Sequence, residues 1–259
     1  YKADCEIILQ KYISEDFTPI IIRPATVCGY SPRQRLDVVV NILTNLAYHK
    51  RKIRETSVSG AVSCKGNYPH FMIKEIHEQP EAVVNTLRER ISFDEFRTTL
   101  DEFPFSDEEV REFNKVVLIG MGTSLHAAMV GQTWIESLTR IPTEANNSSE
   151  YRYRNPIIDK RTLVISIAQS GETADTVSAM EMAKNLGARQ ITLCNIEGAQ
   201  STRIADGTMF IRAGLEVGVA SSKTFVCSLT TLLVLAIYIA ERRGTLSENH
   251  ARELVTELS

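Results

Sequence analysis

Cysteine pairs, long apolar runs and a strong charge of either sign are all missing from this chain. Its five cysteines, Cys5, Cys28, Cys64, Cys194 and Cys227, are scattered, with no CxxC pair and no cysteine–histidine cluster. That pattern supports neither a zinc site nor a disulfide framework, and buried thiols in a reducing cytoplasm are expected. The longest apolar run, Leu232–Ala240, is nine residues, far short of the ~20 that cross a bilayer. It is predicted to be a buried helix between Lys223 and Glu241-Arg242-Arg243, and no membrane association is expected. No signal peptide is expected, and a chain beginning at Tyr1 is expected to be a fragment. The net charge of −3 gives no overall attraction for nucleic acid. Residues 1–54 carry nine Lys/Arg against five Asp/Glu, and the surplus ends at Lys50-Arg51-Lys52-Ile53-Arg54. That run reads as a solvated segment end rather than a nucleic-acid patch.

What remains is a globular composition, 43% apolar and 24% charged. Four segments are expected: 1–54, a small α/β piece with "TPIIIRPATVCG" as its β-rich run; 55–69, a polar linker; 70–112, a helical lead-in that Pro80 breaks or restarts; and 113–259. Within the last, "KVVLIGMG", "TLVISIA", "RQITLCNI" and "GTMFIRA" read as strands. "SLHAAMVGQTWIESLTR", "TADTVSAMEMAKNLG" and "KTFVCSLTTLLVLAIYIAERRG" read as helices. Strands alternating with helices predict an α/β fold, a three-layer αβα sandwich with a mostly parallel sheet covered on both faces. Its ligands are expected beyond the carboxyl ends of the strands.

Two strand-to-helix corners are rich in hydroxyls: Gly120-Met121-Gly122-Thr123-Ser124 and Gln169-Ser170-Gly171-Glu172-Thr173. A helix N-terminus offers unpaired N–H groups and a partial positive charge, which favour an anion such as phosphate. Neither corner holds Lys or Arg, so dipoles and hydroxyls would do the binding. Ser124, Ser170 and Thr173 could each be a plain N-cap; two such corners on neighbouring strands favour a site. A third stretch, "AGLEVGVASSKTF" (213–225), could wall the site through Val219, Ala220 and Ser221, or be an ordinary loop with Lys223 solvated. Gly120-x-Gly122 is a weak dinucleotide signal: Leu125 replaces the third glycine, although Glu144 stands near the distance of a ribose acid. His126, His70 and His77 lack evident partners, and Glu172 is explained by the helix dipole. No catalytic residue, cofactor or metal is assigned.

"HFMIKEIHEQPEAVVNTLRERI", "GMGTS", "SEYRYR", "AQSGETADT", "CNIEGAQSTR" and "EVGVASSKTF" run in unbroken order from about Gly66 to Gly244. Together they resemble the glutamine–fructose-6-phosphate aminotransferase (glucosamine-6-phosphate synthase) family, in the first half of its sugar-isomerase (SIS) region and the helical lead-in. The resemblance implies fructose 6-phosphate or a related hexose phosphate as ligand. It also implies Ser124, Gln169, Ser170 and Thr173 around the phosphate, and Thr123, Val219, Ala220 and Ser221 around the sugar. The chain departs from the family by carrying Ala168 where a serine is usual. Set against the family, residues 1–259 are expected to hold neither the glutaminase domain nor the second SIS half with its proton-transferring residues. Self-association, or pairing with another SIS half, is therefore expected. Residues 1–54, with "RPATVCG", resemble part of the NAD-dependent sugar epimerase/dehydratase family, without its nucleotide-binding glycines. The leading expectation is a phosphosugar-binding SIS domain. A non-catalytic SIS sensor or assembly module is the alternative, and an NAD-dependent epimerase a third reading resting on 1–54 alone.

Overall fold

The computed structural model describes residues 64–258. The expectations for 1–54, and all but the end of the linker, lie outside them, as do Cys5 and Cys28.

The lead-in forms α1 (Phe71–His77) and α2 (Gln79–Leu87), with Pro80 in the first turn of α2. Proline has no N–H to give to a preceding turn, so it ends one helix and starts the next. A two-residue hairpin of β1 (Ile91–Ser92) and β2 (Arg97–Thr98) follows. Next comes α3 (Asp107–Glu112), opened by a reciprocal capping box between Ser106 and Glu109.

The αβ repeat then runs β3 (Lys115–Gly120), α4 (Thr123–Thr139), β4 (Thr143–Asn147), α5 (Ser148–Tyr151), β5 (Thr162–Ala168), α6 (Ala174–Asn185) and β6 (Arg189–Cys194). It ends with α7 (Gln200–Ile204), β7 (Gly207–Phe210), α8 (Lys223–Arg243) and α9 (Glu248–Glu257). All five strands of the main sheet are parallel, in the order β4-β3-β5-β6-β7. Side chains alternate across each strand, so one apolar run feeds two cores. Val116, Leu118, Leu163 and Ile165 pack in the larger core with residues of α2, α4 and α8. Val117, Ile119 and Val164 pack in the smaller one with Tyr151, Ala179, Met180 and Ala183. These strands read as continuous apolar runs because both faces are covered.

By length and composition α8 could cross a membrane, but most of its apolar stretch is buried inside the fold, against α4 and α2. The lead-in is fastened to the sheet through buried polar groups. Thr86 donates to the carbonyl of Ile211 at 2.6 Å, and Arg90 donates to the carbonyl of Phe210 and pairs with Glu102 at 2.7 Å.

The strand order carries the functional consequence. From β3 the chain goes to β4 on one side, then crosses to β5 on the other. The loops leaving β3 and β5 diverge, and a crevice opens beyond the strands' carboxyl ends at that reversal.

Candidate functional site

The two hydroxyl-rich corners flank this crevice, because β3 and β5 are direct neighbours in the sheet. A cavity of about 160 Å³ lies between them. Its lining is Met121, Thr123, Ser124, Ile167, Ala168, Gln169, Ser170, Thr173, Thr176 and Ser221.

Local backbone geometry shapes each corner. At Gly120 an added Cβ would fall 2.9–3.0 Å from the backbone of Ser124 and Leu125, so the strand end and the start of α4 approach as closely as glycine permits. Gly171 has φ +65°, and a Cβ there would lie 2.5–2.8 Å from Ser201 Oγ, Ala199 Cβ and Cys194 Sγ. The second corner therefore turns back closely on the start of α7.

Few of the polar groups facing the cavity are consumed by the fold. The N-cap of α4 is Gly122, not Ser124, and it makes no side-chain cap bond. Thr173 is the N-cap of α6, yet its hydroxyl makes no cap bond either. Ser170 Oγ accepts from the N–H of Glu172 at 3.3 Å, which leaves its proton to donate. Among the described residues, no acceptor meets the N–H groups of Ser170, Gly171 or Thr173. Glu172 has a structural use: its Oε1 accepts from the N–H of Gln200 at 2.9 Å and caps α7.

The third stretch behaves differently. The N-terminus of α8 is already filled by Glu216, whose Oε1 accepts from the N–H groups of Ser222 at 2.8 Å and Thr224 at 3.3 Å. An internal carboxylate neutralises that helix end, so an added anion is favoured only at α4 and α6. Oε2 of the same Glu216 accepts from Gln169 Nε2 at 3.3 Å. Ser221 reaches the cavity wall, whereas Val219 and Ala220 are exposed and stand outside the lining. Lys223 is not solvated: it is 4% exposed and pairs with Glu78 at 2.7 Å. On α1, Glu75 accepts from the N–H of Val217 at 2.6 Å and of Gly218 at 3.0 Å.

Six of the eight residues predicted from sequence, Thr123, Ser124, Gln169, Ser170, Thr173 and Ser221, thus share one cavity. Sequence reasoning missed Thr176, buried in the first turn of α6, whose hydroxyl donates to Ser148 Oγ at 3.1 Å. Its signal was a further hydroxyl one turn past the corner. Ala168 occupies the wall at 5% exposure and presents a methyl group.

Groups for competing chemistries are committed elsewhere. Glu144, the would-be ribose acid, lies on edge strand β4 and pairs with Lys115 at 2.8 Å and Arg154 at 3.2 Å. Lys115 in particular holds its carboxyl below the usual range. His126 is exposed on α4, and His77 stacks on Tyr68. Burial raises the thiol pKa of Cys194 and Cys227, which makes both poor nucleophiles; Cys64 is exposed. Among the described residues no group of His, Cys, Asp and Glu could hold a metal.

The SIS domain family model matches residues 109–238. The chain is 43% identical over 209 residues to the glutamine–fructose-6-phosphate aminotransferase (isomerizing) of Clostridium tetani, covering 81% of this chain and 34% of that protein. It is 45% identical over 181 residues to the corresponding enzyme of Mycolicibacterium smegmatis, covering 70% of this chain and 28% of that one. The chain thus spans about a third of the length of these curated relatives. The C-terminal domain of the glucosamine-fructose-6-phosphate aminotransferase of Francisella tularensis superposes with a TM-score of 0.71 at 33% identity, over 75% of this chain and 55% of that one. Glucosamine-6-phosphate deaminase of Thermotoga maritima superposes at 0.55 with 21% identity, over 72% of this chain and 53% of that one, and so shares the fold.

Proposed function

Because the chain belongs to the SIS domain family, we propose that the cleft between β3 and β5 binds a hexose phosphate, with fructose 6-phosphate the first candidate. One observation carries this reading. Uncommitted hydroxyls from two adjacent helix N-termini, with unpaired amides at the second corner, border one cavity lined by no charged side chain. Such a site suits a dianion bound by dipoles. Its volume of about 160 Å³ admits a phosphate group. The phosphate enters between α4 and α6. The sugar extends outward past Thr123 and Ser221, toward the loop that carries Val219 and Ala220.

The chemistry of the longer relatives, amino transfer with isomerisation, requires a base to move a proton between sugar carbons. No lining residue of this cleft can serve as one. We therefore assign the cleft binding and orientation, and leave proton transfer to a second SIS half. That same observation favours the alternative reading, a non-catalytic SIS sensor or assembly module. Product formation from fructose 6-phosphate with added ammonia separates the two. Residues 1–54, the basis of the epimerase reading, lie outside the described residues, and absence of NAD binding by fluorescence would dismiss it. A cytoplasmic location is proposed by analogy with the metabolic enzymes above.

Calorimetry with fructose 6-phosphate, on wild type and Ser170→Ala, tests the proposal. Removing a hydrogen bond to a charged phosphate is expected to cost on the order of 1.5–3 kcal/mol. Equal affinities for the two proteins would remove Ser170 from the site.

A further inference from the structure

Gln169 lines the cavity, and its amide makes a tertiary contact through Nε2. Glu216 is 9% exposed, comes from the loop before α8, and accepts from Gln169 Nε2 through one carboxylate oxygen. Through the other oxygen it accepts from the N–H groups of Ser222 and Thr224, the entry to α8. A buried carboxylate held by three donors has little freedom to move. Its own backbone segment is held from the far side, where Glu75 of α1 accepts from the N–H groups of Val217 and Gly218. The loop is thereby pinned by two buried carboxylates, with Ser221 between the pinned points and the cavity.

We propose that Glu216 is a positioning residue for the ligand site: it orients Gln169 and ties Ser221 to the same rigid frame. Resting on the phosphosugar reading above, the inference adds a residue that does not line the cavity. Glu216 fixes the rotamer of Gln169, so the amide does not pay ordering entropy when an anion arrives. As an acceptor it also holds one Nε2 proton and polarises the group, leaving the second proton for the ligand. The carboxylate itself stays outside the lining, where its charge is met by the α8 N-terminus rather than by the phosphate.

The test is a double-mutant cycle read by calorimetry with fructose 6-phosphate on wild type, Glu216→Gln, Gln169→Ala and the double variant. A glutamine at 216 can still accept from Ser222 and Thr224, but it turns an amide toward Gln169 and loses that bond. The expected result is roughly tenfold weaker binding for Glu216→Gln, a melting temperature lowered only by the charge lost at the α8 N-terminus, and no further loss of affinity when the substitution is added to Gln169→Ala. A purely structural role would weaken binding equally in both backgrounds, and that outcome overturns the proposal. So does wild-type affinity in Glu216→Gln. Should that variant fail to fold, Glu216→Asp, which keeps the charge and withdraws it by one methylene, is read in the same cycle with the same criteria. Failure of the underlying reading looks different: wild type and Ser170→Ala would then be indistinguishable before Glu216 is touched.

Discussion

Gly171 decides at the residue scale whether a cavity exists. Its φ of +65° lies in the left-handed region, and the space where a Cβ would stand is filled by Ser201, Ala199 and Cys194. Gly171→Ala therefore combines backbone strain with a clash against three buried neighbours, two of them at the start of α7. A loss of about 2–4 kcal/mol is expected, measured as a lower denaturation midpoint and accompanied by weaker sugar-phosphate binding. Unchanged stability would mean that the corner has slack. The glycine and its hydroxyl neighbours were legible in sequence, because glycine at a strand-to-helix corner marks a close backbone approach. The role of Glu216 was not. A glutamate in "AGLEVGVASSKTF" carries no local signal that it will meet Gln169, 47 residues earlier. The pairing of Lys223 was unreadable for the same reason: its partner Glu78 is 145 residues away.

Among the elements, the lead-in is more than a tether. Glu75 and Glu78 on and beside α1 hold the loop at 217–218 and the first residue of α8. Partial burial pushes the Glu78 carboxyl up, but the bond and charge of Lys223, with Lys74, outweigh it and leave the group below its ordinary range. A carboxyl depressed by folding stabilises the fold above its unfolded pKa and loses that contribution as pH falls through the folded value. Wild type is thus expected to lose stability more steeply than Glu78→Gln on acidification below roughly pH 4–5, while at pH 7 the variant is the weaker, because Lys223 stays buried without its countercharge. Parallel acid-denaturation curves would contradict this. Most elements of the αβ repeat were readable, β5 to the residue, since both-faces-buried strands announce themselves as apolar runs. Strand β4 was not: Thr-Glu-Ala-Asn-Asn has low strand propensity, and only the edge of a parallel sheet, with β3 beside it, makes it extended. The capping box at Ser106–Glu109 was visible in principle as Ser-x-x-Glu and marks α3.

For the whole molecule, the sequence order of strands could be predicted but not their spatial order, and it is the reversal between β3 and β5 that brings the two corners together. No periodicity encodes which side of β3 receives β4. Several large apolar side chains remain exposed, among them Ile73, Ile76 and Val84 on the lead-in helices and Met129 and Val130 on α4. We propose that such surface is covered by another SIS half or by a second copy of this chain. Light scattering is expected to show a mass that rises with concentration, and a constant monomer mass at high concentration would argue against it. Besides the cleft, the described surface holds a larger depression of about 450 Å³ beside α6, lined by Arg152, Tyr153, Glu181 and Met182 among others. Its arginine, engaged with Asp175 at 3.5 Å, makes it the natural competitor for a phosphate. A crystal structure of the chain with fructose 6-phosphate discriminates between them directly. The account predicts the phosphate between α4 and α6, within hydrogen-bond reach of Ser124, Ser170 and Thr173; a phosphate seated at Arg152, with those three hydroxyls unengaged, would contradict it.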